Sequence, residues 1–464
     1  FGVAALLIGG LPSARWRGGL TLVASVLALY WLQPSTPIRH LDFWLPSASL
    51  ALVLLTWVIT RAPATGEVRP TLTTAATLGL LVVAIGLTRY FDPLCCLTPS
   101  RPPDLSQVAF ALGAVALVAV APARLKPNHP WWLIAGLAFI LGLFVMLKTD
   151  ALAGAASAGL RSLTGQPADL ASALDIRWLG FSYIAFRLLH VLRDGLARKL
   201  PALSLQEFVI YALFFPALTA GPIDRVERFI QDLRRPYAFS APNAVEGGAR
   251  LALGLVKKFV ISDSLAIFAL SATSAAQTTS PVWMWVLVYA YAWRLYLDFA
   301  GYTDIAIGLG RWMGVRLPEN FDRPYFKPNL TTFWNSWHIT LTQWFRAYVF
   351  NPLTRALRSR PLPPAAIILA GQILVMVLIG LWHAVTWNFV VWGLWHAAGL
   401  FVHNRWAGFA RPRLAWLDRS PGLKRAGNLL GIGLTFHYVA LGWVWFALPN
   451  LSLSRRVLQT LVGL

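Results

Sequence analysis

Residues 366–382 read AIILAGQILVMVLIGLW, a run without one charged side chain. Extended by a few positions at each end, it reaches the roughly 20 residues that carry a helix across a bilayer core. Ala76–Leu87, Ala109–Ala121 and Trp131–Leu147 are continuous in the same way. Hydrocarbon offers no partner for an unpaired backbone N–H or C=O, so such runs must be helices. The strands of a membrane β-barrel would instead alternate apolar and polar residues over ~10-residue segments.

The composition of the whole chain agrees. Its 464 residues would form two or three soluble domains on length alone. However, 57% of them are hydrophobic and 13% charged, where a soluble domain carries about 25% charged residues. Too few polar residues remain to cover several globular surfaces. Intrinsic disorder and fibrous repeats are excluded on the same grounds. Forty Lys and Arg against 19 Asp and Glu give a net charge of +21. On a soluble protein that excess would suggest nucleic acid. In a membrane protein, Lys and Arg gather in the cytoplasmic loops, and no nucleic-acid-binding signature interrupts the apolar segments. The expected surroundings are membrane lipids, with no nucleic acid partner. Cys95 and Cys96 are adjacent in a proline-rich stretch, fit no metal spacing and read as structural.

About a dozen apolar segments follow one another, near residues 1–12, 19–33, 47–61, 71–88, 106–121, 130–148, 206–221, 250–270, 282–300, 364–382, 386–403 and 429–447. The fold class is therefore an all-α polytopic membrane protein with about 11–13 transmembrane or re-entrant helices. It forms one integral-membrane domain, with N-terminal helices over 1–150 and a core over 151–464. No internal repeat marks the chain, which weighs against an inverted-repeat transporter. The basic loops 355–360 (Arg355, Arg358, Arg360) and 405–425 (Arg405, Arg411, Arg413, Arg419, Lys424, Arg425 against Asp418) are separated by two crossings. Both then face the cytoplasm, and the joint Trp382-His383-Ala384-Val385-Thr386-Trp387 faces the other side.

Two regions do not read as plain crossings. Residues 150–205 mix small, acidic and basic residues, as short interfacial or re-entrant helices would. Thr331–Phe350 interleaves Trp334, Trp337, Trp344, Phe345 and Tyr348 with Asn335, Ser336, His338, Thr340, Gln343 and Arg346. That pattern is too polar for lipid and too aromatic for water, and it predicts a helix lining a hydrated cavity.

Ionisable residues at membrane depth are costly and are functional candidates. His40 and His129 fall in loops, whereas His190, His403 and His437 suit satisfied structural positions. His338 and His383 each follow a tryptophan, in or beside an apolar segment. His396 resembles them but sits among Gly393, Ala397, Ala398 and Gly399, a helix-packing pattern, and ranks lower. Imidazole titrates near neutrality and can take a proton from a hydroxyl and return it to a leaving group. No Gly-x-Ser-x-Gly elbow is present, and two histidines 45 positions apart, with no carboxylate in their own segments, make no metal site. Asp298 and Asp304 suit an ion pair with Arg294 or Arg311, or the orientation of a histidine. On this basis an enzyme and a transporter both stay open.

Five stretches bear on that choice. They are Asp298–Gly310 (DFAGYTDIAIGLG), Pro318–Tyr325 (PENFDRPY), Phe333–Leu341 (FWNSWHITL), Phe214–Ile223 (FFPALTAGPI) and Gly380–Ala384 (GLWHA). Together they resemble the membrane-bound O-acyltransferase (MBOAT) family over roughly 175–445. Within it the chain is similar to the bacterial branch that holds the alginate O-acetylation and teichoic-acid D-alanylation proteins. Gly180–Tyr183, Arg193–Gly195 and Gly221–Arg225 lean to the second, while Gly301–Gly310 and Tyr348–Leu353 lean to the first.

The resemblance implies a ring of membrane helices around a central tunnel, in the inner membrane of a bacterium. The family's two marker histidines correspond to His338 and His383, with His383 in the catalytic position. Trp337, Trp382, Asn335, Asp304 and Asp298 would line the tunnel. No bound cofactor or metal is implied. The donor would be an acyl thioester, acetyl-CoA or an acyl or D-alanyl carrier protein, arriving at the cytoplasmic face. Acetyl is the first choice of acyl group and D-alanyl the second. The acceptor would be a hydroxyl of a cell-envelope polymer or a separate extracytoplasmic acyltransferase. A transporter or flippase without covalent chemistry is the alternative.

Overall fold

A computed structural model describes all residues except 62–67, 92–96, 125–128 and 414–419, and leaves out the side chains of 68, 120–124 and 411. Cys95 and Cys96 lie outside the described residues. Among the described residues every regular element is helical. Five helices among the described residues are long and apolar enough to cross a membrane: Leu41–Thr60, Arg69–Tyr90, Pro130–Lys148, Pro364–His383 and Pro421–Ala447. The chain is an all-α polytopic membrane protein. It divides into two compact units, Phe1–Leu251 with Ala306–Leu317, and Ala252–Ile305 with Pro318–Leu464.

In the first unit, Leu41–Thr60 packs against Leu105–Arg124, Phe181–Leu196 and Leu205–Leu213. The apolar segment 206–221 would suit a full crossing, yet the helix stops at Leu213 and the chain turns tightly over Phe215–Ala217. Pro216 explains the stop, because it has no N–H to give the Ala212 carbonyl four residues earlier. The carbonyls freed there do not stay unpaired. Arg187, 2% exposed, donates from Nη1 to the Ala212 carbonyl at 2.9 Å and from Nη2 to that of Ala217 at 2.7 Å. Its own helix begins at Gly180 with φ +66°, where a Cβ would meet the Leu218 carbonyl oxygen at 2.7 Å.

The mixed segment 150–205 resolves into the helices Asp150–Leu163 and Phe181–Leu196, joined by two short turns. The carboxylate of Asp175, in the second turn, accepts from Ser157 Oγ at 2.6 Å, Arg161 Nε at 2.9 Å and the Ser172 N–H at 3.2 Å. Burial alone would raise its pKa. The bonds from Ser157, Arg161 and Ser172 outweigh that and hold it below the ordinary carboxylate value.

In the second unit, Pro364–His383 and Trp387–Arg413 form a hairpin around the joint at 384–386. Glycines let their backbones meet. A Cβ on Gly380 would lie 2.3 Å from the Phe389 carbonyl oxygen, and one on Gly393 2.7 Å from that of Met376. Small residues at such contacts are how helices associate in lipid, where apolar surface alone gives little drive. Asn388, 2% exposed, donates from Nδ2 to the Leu448 carbonyl at 2.7 Å and to Ser454 Oγ at 3.1 Å. This ties the end of Pro421–Ala447 to the hairpin.

Thr331–Phe350 is not one helix. It divides into Leu330–Trp334, Ile339–Phe345 and a π-helical turn over Arg346–Phe350. The break falls at residues 335–338, and His338 takes φ +42°, a left-handed conformation that costs a non-glycine residue about 1–2 kcal/mol.

Candidate active site

The break in the helix is what positions His338. Asn329 Oδ1 caps Leu330–Trp334 by accepting from the Thr332 N–H at 2.9 Å, and Ser336 Oγ closes the turn onto the Thr332 carbonyl at 2.9 Å. The segment 320–322 then runs alongside. The Ile339 N–H donates to the Asn320 carbonyl at 2.9 Å, and the Asp322 N–H to that of Ser336 at 3.0 Å. These bonds over-determine the strained residue, as a left-handed histidine requires.

The same asparagine fixes the tautomer of the ring. Asn320 Oδ1 accepts from the Thr340 N–H at 3.2 Å and from Thr340 Oγ1 at 2.9 Å. A backbone N–H can only donate, so this amide atom is the oxygen and the amide orientation is settled. His338 Nδ1 lies 3.1 Å from that same oxygen and must therefore carry the proton. Nε2 is left with its lone pair. The atom is buried and meets no hydrogen-bond partner among the described residues.

Around the ring the walls are aromatic. Phe299 meets His338 edge to face at 4.7 Å between ring centroids, and Trp382 lies at 6.0 Å. Trp337 is buried between Phe333 at 5.6 Å, Phe321 at 5.2 Å and Trp443 at 5.0 Å. Trp382 is also 4.3 Å from His383, so one indole touches both histidines. His383 is the last residue of Pro364–His383 and is half-buried. Phe389 stacks on it at 5.6 Å and Phe446 meets its edge at 4.6 Å.

The other residues singled out in the sequence lie as follows. Asn335 is exposed and accepts from Arg346 Nη2 at 2.6 Å. Asp298 and Asp304 form ion pairs with lysines, where Arg294 or Arg311 was the expected partner. Lys258 Nζ meets Asp298 at 2.5 Å, and Lys257 Nζ meets Asp304 at 2.6 Å. Both lysines lie in the π-helical turn Val256–Ser262, which brings two consecutive cations onto neighbouring carboxylates. The helix Pro281–Trp312 thus presents its acids to the lysines, and Phe299 from the same helix to His338.

His396, ranked low on its glycine-rich surroundings, is completely buried. Trp392 lies at 4.9 Å, Trp334 at 5.1 Å and Trp443 at 5.9 Å from its ring. Neither of its nitrogens has a hydrogen-bond partner among the described residues, and the same holds for Trp334 Nε1, Trp392 Nε1 and Asn320 Nδ2. Each such group costs about 1–3 kcal/mol when it is left unpaired. Several of them gather around the rings of His338 and His396. Asn320 lies within Pro318–Tyr325, and nothing in its spacing points to a clamp on a histidine.

One other group has the composition of a metal site. His190, Asp194 and Glu227, in the first unit, have ligand atoms within 4.8 Å of one another. Nδ1 of His190 faces Asp194 at 3.3 Å, and Nε2 accepts from the Val226 N–H at 3.2 Å. Both nitrogens of His190 are thus engaged by the chain itself.

Comparison with known proteins places this site in context. The profile described as "MBOAT, membrane-bound O-acyltransferase family" matches residues 132–436. The Peptidoglycan O-acetyltransferase of Helicobacter pylori is 36% identical over 275 residues, covering 56% of this chain and 48% of that protein. The Teichoic acid D-alanyltransferase of Bacillus subtilis is 31% identical over 283 residues, covering 59% and 69%. A Pseudomonas aeruginosa protein named "Probable alginate O-acetylase AlgI" is 32% identical over 285 residues, covering 61% and 51%. The chain thus spans about half the length of two of these relatives. His338, His383 and His396 all fall within the matched residues.

Proposed function

The chain belongs to the membrane-bound O-acyltransferase family, and we propose that it moves an acyl group from a cytoplasmic thioester to a hydroxyl outside the bacterial inner membrane. The relatives named for peptidoglycan, alginate and teichoic acid support a cell-envelope polymer, or a partner transferase serving one, as acceptor. Acetyl is the preferred group and D-alanyl the second. Coenzyme A or a carrier protein would bring it. The basic residues Arg355, Arg358, Arg360, Arg405, Lys424 and Arg425 suit an acidic carrier at the cytoplasmic face.

In this reading His383 takes the proton of the attacking hydroxyl as its oxygen bonds to the thioester carbonyl carbon. The C–S bond then breaks, and the proton passes to the departing sulfur. His338 presents Nε2 to the same passage and orients the donor. Trp337 and Trp382 wall it and keep out water, which would hydrolyse the thioester. One observation carries most weight: Asn320 holds the proton of His338 on Nδ1, so that an imidazole lone pair stands unpaired in a buried aromatic pocket one indole away from His383.

The test offers the purified protein radiolabelled acetyl-CoA or a D-alanyl carrier protein together with an envelope polymer, and follows thiol release and label transfer. Consumption of one donor, lost in His383→Ala, is expected. Neither donor consumed by well-folded wild-type protein would overturn the reading.

A further inference from the structure

A cavity of about 230 Å³ in the first unit plays no part in this chemistry. Its wall includes Arg15, Arg17, Thr21, Gln206, Glu207 and Asp232. We propose that it binds a phosphate group.

The polar atoms on the wall divide unevenly. Both acids are spent. Glu207 accepts from Arg234 Nε at 2.6 Å, from Arg234 Nη2 at 2.9 Å, and from the Ser204 N–H and hydroxyl at 2.9 and 3.0 Å. Asp232 accepts from the Arg316 N–H at 3.0 Å and from Arg235 Nη1 at 3.2 Å. The donors are not spent. Arg17 is 8% exposed, and its guanidinium makes a single hydrogen bond to a described residue, from Nη1 to the Tyr237 carbonyl at 2.6 Å. Thr21 is 4% exposed and its hydroxyl makes no hydrogen bond to a described residue, and Arg15 has no acidic partner among the described residues.

The helix Ala14–Trp31 adds its own N-terminus. Ser13 stands at the cap position but makes no side-chain cap, so the first N–H groups keep their positive end of the dipole. Gly18 opens room as well, since a Cβ there would lie 2.6 Å from Gln206 Nε2. A buried guanidinium with unspent donors, an unpaired hydroxyl and a helix start all offer hydrogens. The matching ligand is a compact anion with several acceptor oxygens, which describes phosphate. Arg15 lines the cavity and the next residue, Trp16, is 66% exposed; these residue types anchor proteins at the membrane–water boundary. The phosphate can therefore be that of a lipid head group or a soluble one.

The experiment uses the delipidated full chain in detergent, with melting temperature and native mass spectrometry as readouts. Phosphatidylglycerol, diacylglycerol of the same tails and inorganic phosphate are added separately. Stabilisation by phosphatidylglycerol and not by diacylglycerol is expected. If inorganic phosphate stabilises too, the cavity accepts the free ion, and if it does not, the head group is the ligand. Arg17→Gln should weaken binding about tenfold or more and Thr21→Val about fivefold, the ordinary values for a charged and a neutral hydrogen bond. Thr21→Val keeps the side-chain volume and serves if Arg17→Gln fails to fold. No difference between the two lipids and no effect of inorganic phosphate would overturn the proposal, as would unchanged affinity in Thr21→Val.

Discussion

Two buried polar regions of this protein follow opposite rules. In the first unit Arg187 and His190, 2% and 1% exposed, have their hydrogen-bonding groups matched by carbonyls, an N–H and a carboxylate of the chain itself. In the second unit His338 and His396, 3% and 0% exposed, keep three of their four ring nitrogens unpaired among the described residues. Burial is the same, and only saturation differs. A saturated polar group holds the fold together. An unsaturated one keeps its capacity for a group from outside the chain, and the function proposed above uses that capacity at His338.

The largest expected effect tests the functional side. His383→Ala should lower acyl transfer by about 10²–10⁴-fold, the usual contribution of a general base, while the melting temperature in detergent stays close to wild type. Near-normal transfer by a folded variant would remove His383 from the chemistry. The structural side is tested by Arg187→Met, which keeps the length of the side chain and loses its donors. Two buried carbonyls then go unpaired at about 1–3 kcal/mol each, so the melting temperature should fall by many degrees or the protein should fail to accumulate. A variant that melts like wild type would show that other groups satisfy Ala212 and Ala217.

Asn320→Leu probes the boundary between the two rules, since Asn320 is itself saturated at Oδ1 and unpaired at Nδ2. Without it the His338 ring loses its fixed tautomer, and transfer should fall about 10- to 100-fold, the equivalent of about 1–3 kcal/mol of lost positioning. Asn320→Asp retains an acceptor and should recover part of that loss. If both variants transfer equally, the clamp on His338 has no functional weight.

Much of this was legible in the sequence, for a physical reason. Long apolar runs have one stable form in lipid, so the segments at 47–61, 130–148 and 364–382 closely anticipate Leu41–Thr60, Pro130–Lys148 and Pro364–His383. His338 and His383 stand out because an ionisable residue in or beside an apolar membrane segment is costly and rare. What could not be read is what depends on partners distant in the chain. The carbonyls freed by the stop at Leu213 are matched by Arg187, and the turn at His338 needs Asn320, 18 positions earlier. The pairing of Asp298 and Asp304 with lysines depends on a π-helical turn that hydropathy does not register. His396 ranks lower in the sequence because its glycine and alanine neighbours mark close helix packing. That packing is real, since a Cβ on Gly442 would meet His396 Nε2 at 2.8 Å, but it is also what seals the ring from solvent.

The smallest effect concerns the saturated cluster at Asp175 and depends on pH. Its carboxyl titrates below the ordinary value because Ser157, Arg161 and Ser172 hydrogen-bond the charged form against the opposing effect of burial. An unfolded chain titrates this group near 3.9. The cluster's stabilisation is therefore fully present above about pH 4 and is lost as pH falls through the lower folded value. Wild-type protein should lose melting temperature on acidification below about pH 4, and Asp175→Asn, already less stable at neutral pH, should lose less over the same interval. Parallel slopes for the two proteins would show that Asp175 titrates alike in the folded and unfolded chain. The hydrogen bonds around it would then fix the turn without favouring its charge, and the saturated half of the comparison would rest on Arg187 and His190 alone.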